Sequence, residues 1–218
     1  MMSSTQRSKI RKSPKRAVFD EQKLFEIIDE SLLAHIAIIE EHGPIVIPML
    51  AWRCDRHVYI HGASNSRLLR ELKQGKPTCL TFSLFDGWVL ARSAFHHSAH
   101  YRSAVVFGEF AEVSDEQEKN QKMNHFIEQI APGRSMQTRA GNRQELAATT
   151  LLKMPLNEAS VKISNGEVND EKADMDRAVW AGYLPYQTKV GPLQPAADLT
   201  DGIATPDYSS AYLERWYK

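Results

Sequence analysis

"TCLTFSLFDGWVLARSAFHHSAHYRSAVVFG", residues 78–108, decides how the chain folds. It sets two runs rich in Val, Phe, Leu and Thr on either side of a polar segment that carries three histidines. Residues of that kind favour the pleated, half-buried surface of a strand. Upstream, "AHIAIIE", "GPIVIPMLAWR" and "HVYIHGA" have the same character, and turn signals stand between runs at His42-Gly43-Pro44 and at Asp86-Gly87. Downstream, "LLKMPL" and "SVKI" read as two further strands. Short strands at this spacing predict an antiparallel sheet or barrel.

Helical periods interrupt the strands. "FDEQKLFEIIDESLL" puts Leu24, Ile27, Ile28 and Leu32 on one face, with Asp20 placed to cap the first turn. Leu68, Leu69 and Leu72 form an apolar stripe after "GAS". A third helix is expected after Ser114, whose spacing to Gln117 is that of a capping box, with Met123, Phe126, Ile127 and Ile130 turned inward and a stop at Pro132-Gly133. "NRQELAATT" can add a short one. The class is a β-rich α+β fold.

Bulk composition narrows the function. Lys plus Arg and Asp plus Glu both total 27 in 218 residues, which gives no reason to expect nucleic acid or an anionic membrane as partner. Residues 7–16, "RSKIRKSPKR", are a local exception with six basic side chains and no acid, read as a solvated tail. No apolar stretch approaches the ~20 residues that span a bilayer, and the basic start lacks the apolar core of a secretory signal, so a soluble, cytoplasmic protein is expected. Cys54 and Cys79 are too few and too far apart for a disulfide scaffold or zinc knuckle. The stretch 165–177, "NGEVNDEKADMDR", reads as a solvated loop ahead of the apolar "AVWAGYLPY".

One strand-to-helix junction carries recognisable chemistry. "YIHGASNSRLLREL", residues 59–72, joins its two elements through small polar residues. Backbone N–H groups at such a turn, the hydroxyls of Ser64 and Ser66 and the guanidinium of Arg67 together suit an anion such as a phosphate. Caps and exposed surface would use the same residues, so the motif alone leaves both readings open.

Taken in order, "RAVFD", "PIVIPML", "VYIHGASNSRLLREL", "LARSAFHHSAHYRSAVVFGE", "IAPGRS", "ELAATTLLKMPLNEASVKI" and "WAGYLPY" resemble the pyridoxamine 5'-phosphate oxidase-related proteins of the FMN-binding split-barrel superfamily. The branch most similar is that of the nitroimidazole-resistance reductases. The resemblance runs from about Arg16 to Tyr186 and implies a six-stranded antiparallel split β-barrel with flanking helices, a homodimer, and FMN bound between the subunits. It divides the chain into a basic tail (1–16), a flavin-binding domain (17–190) and a C-terminal extension (191–218). It assigns the phosphate to Ser64, Ser66, Arg67 and Leu68, the ribityl chain and flavin edge to His61 and Gly62, the ring to Pro48 and Met49, and contacts across the dimer to Arg102 and Ser103. Trp180 corresponds to a late aromatic near the flavin.

The resemblance implies an oxidoreductase: a reduced donor such as NAD(P)H feeds FMN, which passes hydride or electrons to a small electrophilic substrate. Its rivals are a flavin carrier or sensor without turnover, and a haem- or deazaflavin-binding split-barrel protein. The chain lacks the basic "R-x-x-L-L-K" strand and the C-terminal Arg/His motif of the vitamin-salvage oxidases; "IVIPML" and "YLERWYK" stand there instead. It also reads "HYRSA" where relatives read "NYRSV", which sets His100 and Ala104 apart. His96, His97 and His100 lack a spaced carboxylate or cysteine to complete a tetrahedral zinc site, so no metal site is assigned. The segment is expected to be a pocket wall in which His97, His100 and Tyr101 orient substrate or deliver a proton.

Overall fold

The structure, a computed structural model, describes residues 5–212. Its architecture is the strand-rich, antiparallel α+β arrangement expected from the sequence. One sheet orders β1 (Ala17–Val18), β10 (Glu158–Ser164), β7 (Ser98–Gly108), β6 (Thr78–Leu90), β2 (Leu33–Glu40) and β3 (Gly43–Leu50), with β11 (Gly182–Pro185) added to β6. A second sheet orders β4 (Trp52–Cys54), β5 (His57–Ala63), β9 (Thr149–Pro155) and β8 (Ala111–Glu112). No helix among the described residues is long and apolar enough to cross a membrane.

A single apolar cluster fills the space between the sheets. Ile36, Phe82 and Val106 come from the first sheet, Val58, Ile60 and Leu152 from the second, and all are fully buried. Helix α1 (Glu21–Ser31) closes one end by adding Leu24, Ile27 and Ile28, each at most 1% exposed. Each such side chain contributes about 1.5–3 kcal/mol through loss of contact with water. Asp20 caps the helix as its position suggests, accepting from the Gln22 N–H at 2.9 Å. Leu32 leaves the apolar face instead: it takes a left-handed conformation (φ 56°) and ends the helix. A smaller cluster of Trp52, Tyr59, Val113 and Leu151 lies on the other side of the second sheet, covered by Met123 and Phe126 of α3 (Glu116–Ile130).

Two local expectations shift. Helix α3 is capped by Asp115 rather than Ser114, the Asp115 carboxylate accepting from the Glu118 N–H at 2.7 Å. A carboxylate one residue further along competes with the hydroxyl and adds a favourable charge at the helix start. Asp86-Gly87 is no turn but lies inside the 13-residue β6, where the register against β7 slips between Phe85 and Gly87. Before the slip β6 pairs with β2 through Cys79–Thr81; after it β6 pairs with β11 through Gly87–Leu90. One long strand thus serves two neighbours on the same edge. The short helix expected in "NRQELAATT" forms as α4 (Arg143–Ala148), with Asn142 and Glu145 making a full capping box.

Parts of both termini are seated on this frame. Arg7 grips Glu158 with Nε at 3.0 Å and Nη2 at 2.7 Å, and lies over the Phe107 ring, so the basic tail is anchored at Arg7 while its basic side chains from Lys9 to Lys15 stay exposed. At the far end, the Tyr212 hydroxyl donates to the Ile130 carbonyl at 2.7 Å. The last residues of "YLERWYK", from 213 on, lie outside the described residues.

Gly87 is the glycine that the fold requires. Its φ is 148°, and a Cβ there would meet the Leu184 carbonyl oxygen at 2.5 Å. Gly87→Ala should therefore detach β11 and cost about 2 kcal/mol or more, read from the urea unfolding midpoint. An unchanged midpoint would show that β11 does not depend on this approach.

Candidate functional site

Strand β5 runs into α2 (Arg67–Leu72) through Ser64, Asn65 and Ser66. The turn is held by its own backbone: the Ser64 N–H donates to the Ala148 carbonyl at 2.8 Å and the Ser66 N–H to the Ala63 carbonyl at 2.9 Å. Those two N–H groups are therefore committed. The Ser66 hydroxyl makes no capping hydrogen bond, and Arg67 stands 61% exposed with Glu40 as its ion-pair partner, Nε to Oε1 at 3.2 Å, at an open pocket that Glu41, Glu71 and Lys76 also line. An exposed pair of this kind is worth at most about 1 kcal/mol, less than the roughly 1.5–3 kcal/mol of a hydrogen bond to a charged group. Arg67 can thus leave Glu40 for a phosphate at small cost. Leu68 contributes no side chain to the turn, since it is buried in the main cluster with Leu69 and Leu72.

The strand end splits two residues that the resemblance assigns to one ligand. Successive side chains of a strand point to opposite faces. Gly62 faces Leu69 and Met49, where an added Cβ would meet Leu69 Cδ1 at 3.0 Å and Met49 Cε at 3.9 Å. Its neighbour His61 faces the other way, ring centroid 5.5 Å from Trp52 and 6.0 Å from Phe126. Met49 thus joins Gly62 and α2 on one side, while Pro48 is turned to solvent. Burial pushes the His61 pKa below its ordinary value, and its Nδ1 is buried without a hydrogen-bond partner among the described residues.

Arg102 is engaged within its own chain. From β7 its Nε and Nη2 reach the Asp86 carboxylate at 3.0 and 2.7 Å, and its Nη1 and Nη2 reach Glu30, the latter at 2.7 Å. Hydrogen bonds to Glu30 and then to Asp86 raise its pKa further. The guanidinium is consumed in tying α1 to the β6–β7 pair, beside an open cavity of about 670 Å³ that Phe85 and Tyr186 also line. Ser103, next along the strand, makes a long 3.4 Å contact to the Lys162 carbonyl. Trp180 is two-thirds exposed and lies against Gly182, where a Cβ would touch its ring at 2.8 Å.

The histidine segment is brought together as a cavity wall. His96, His97 and His100 all line a cavity of about 410 Å³ with Phe95, Ile163 and the backbone around Gly166. His97 Nδ1 is 2.9 Å from the Ser93 carbonyl, and His100 Nε2 is 2.9 Å from the Gly166 carbonyl. The loop is pinned by Arg92, whose backbone N–H and Nη1 bind Asp170 at 2.9 and 3.0 Å. Tyr101 sits opposite Phe85 in the β6–β7 register. Lys15 and Arg16 complete the wall, and their part in it was missed in the sequence because nothing local links residue 15 to residue 97.

The model of the pyridoxamine 5'-phosphate oxidase family matches residues 20–163 of the chain. No curated protein matches. Among solved structures, a flavocytochrome of Azotobacter vinelandii is 30% identical with a TM-score of 0.90, covering 95% of this chain and 96% of its own. An FAD- and haem-binding protein of Mycobacterium smegmatis is 32% identical with a TM-score of 0.84, covering 88% and 94%. A protein of Bacteroides thetaiotaomicron named for 5-nitroimidazole antibiotic resistance shares the fold, at 20% identity and a TM-score of 0.57 over 67% of this chain and 86% of its own.

His61 offers a pH test of this geometry. Because burial depresses its folded pKa, the unfolded chain binds a proton near pH ~6.5 that the folded chain refuses. Its stabilising contribution is complete above that pH and is lost as pH falls through the folded value. His61→Gln should flatten the fall of the urea midpoint between pH 7.5 and 5, and the wild-type imidazole should titrate below its ordinary value by NMR. An unshifted titration would mean that the ring is solvated.

Proposed function

The chain belongs to the pyridoxamine 5'-phosphate oxidase family, and from that premise we propose that it is a flavin-binding redox protein. The observation that carries this reading is the β5–α2 turn, with its unengaged Ser66 hydroxyl and weakly held, exposed Arg67, and Gly62 two residues before Ser64 facing Leu69 and Met49. That donor set fits the phosphate of a flavin nucleotide, with Ser64, Ser66 and Arg67 holding it and Met49 bordering the ring. The flavin, when bound, supplies hydride and single-electron chemistry. The residues do the rest: Arg67 and the serines fix the phosphate end, and Gly62 lets Leu69 and Met49 close over the strand.

The same turn suits either flavin nucleotide. FMN is what the resemblance implies, while the M. smegmatis protein binds FAD; both carry the phosphate that this turn addresses. Electrons are proposed to enter from NAD(P)H or another reduced carrier and to leave to a small electrophile. A homodimer gives the exposed aromatic strip of Phe85, Trp88 and Tyr186, with ring centroids 4.9 Å apart, a second copy to cover it. In that assembly Arg102 acts as a clamp that shapes the interface, Ser103 and Pro48 contribute from the first sheet, and Trp180 contributes from the segment just before β11.

A haem beside the flavin is a second reading with its own support. The A. vinelandii and M. smegmatis proteins are named for haem or cytochrome character, and both align over most of this chain. This favours electron transfer over substrate reduction alone.

Denaturing release and mass identification should yield FMN or FAD from the purified protein, and anaerobic NADH or NADPH should bleach its absorbance. Arg67→Ala should weaken flavin binding by about 1.5–3 kcal/mol in a fluorescence titration while the fold is kept. Absence of any flavin would overturn the flavin reading, and unchanged affinity in the variant would move the phosphate away from this turn.

A further inference from the structure

Three histidines, two cations and an almost fully exposed phenylalanine converge on one 410 Å³ cavity at the tip of the β6–β7 hairpin, apart from the β5–α2 turn. Among the described residues no three histidine, cysteine or carboxylate side chains are arranged to hold a bare metal ion. An iron tetrapyrrole makes a smaller demand. It brings four nitrogen ligands of its own and asks the protein for one or two more.

The ring nitrogens discriminate among the histidines. A carbonyl oxygen only accepts, so the 2.9 Å contact from His97 Nδ1 to Ser93 means that Nδ1 carries the hydrogen. In the neutral ring the lone pair is then on Nε2, the outer nitrogen of an exposed side chain. A ligating histidine characteristically donates its other N–H to a backbone carbonyl, which fixes the ring and raises its basicity. His100 has the opposite arrangement: Nε2 donates to Gly166, which leaves the lone pair on the inner Nδ1, and the ring lies 4.8 Å from that of Tyr183. His96 Nε2 is turned to Glu171 at 3.6 Å. Only His97 presents a free outer nitrogen on a fixed ring.

The remaining wall suits the rest of such a ligand. Phe95, 91% exposed, offers an apolar ring with no protein partner for most of its surface, and Ile163 and Val89 add apolar surface. Lys15 and Arg16 put two positive charges at the same cavity for two carboxylate arms. The acid at the rim, Glu167, is engaged by the Tyr183 hydroxyl. We infer that this cavity is the haem site, with His97 Nε2 as axial ligand and Lys15 and Arg16 binding the propionates. The inference rests on the haem reading above, and it assigns the histidines to a second redox centre rather than to the wall of the flavin pocket.

Haemin titrated into the flavin-loaded full-length protein, followed by its Soret band, tests this. Wild type should bind stoichiometrically. His97→Ala should bind about 10–100-fold more weakly with a displaced band, and added imidazole should restore the band position. His100→Ala should keep the wild-type band. Lys15→Glu with Arg16→Glu should weaken binding without moving the band, a readout independent of how His97→Ala folds. Flavin content should be the same in all. Stoichiometric haem with unchanged affinity and band in His97→Ala would overturn the assignment and leave the haem reading standing. No stoichiometric haem in wild type would remove both, with flavin content still reporting on the β5–α2 turn.

Discussion

The Arg102 guanidinium, held between Glu30 and Asp86, is the interaction on which the rest of the structure depends. Asp86 is the extra residue of the β6 bulge, and a bulge re-aims its side chain. Its carboxylate meets Arg102 on β7, and its carbonyl accepts the Tyr186 N–H at 2.9 Å just beyond β11. Glu30 brings in the last turn of α1, the helix that closes the core. One cation therefore sets the slip in register that lets β6 serve β2 at one end and β11 at the other. Removing it would leave two part-buried carboxylates facing each other, which is why breaking such a pair costs more than making it gains.

From that slip the two sites follow. Beyond the bulge the β6–β7 hairpin continues to the pinned loop that presents His97, and the strand it frees lets β11 lay Tyr183 against His100. The β5–α2 turn belongs to the other sheet and is reached only through the shared core of Ile60, Leu69 and Ile36. The frame thus keeps two differently built pockets apart: one with hydroxyls and a loosely held arginine, the other with imidazoles, cations and an exposed aromatic ring. A flavin phosphate fits the first chemistry and an iron tetrapyrrole the second.

Much of this was legible in the sequence where the signals are local. Strand composition, the Asp20 cap, the leucine stripe of α2 and the order of long motifs carry the fold and the β5–α2 turn. What was not legible depends on distance along the chain. Glu30 and Asp86 stand 72 and 16 residues from Arg102, so no spacing marks the clamp, and the arginine reads as a free contact. Asp86-Gly87 has turn composition because a bulge and a turn both need a residue free of Cβ crowding. His61 and Gly62 are neighbours in sequence, yet strand alternation separates them onto opposite faces. The cations of the histidine cavity arrive from residues 15 and 16, in a segment whose composition suggests only a solvated tail.

On the proposed reading, one chain carries a flavin at the β5–α2 turn and a haem at the hairpin tip. An anaerobic reductive titration of the purified protein counts the electrons directly. Flavin takes two and haem iron one, so about three electrons per chain are expected, with flavin bleaching and the shift of the Soret band as separate signals. An endpoint at about two, with no Soret band to shift, would rule out the haem and leave a flavoprotein alone.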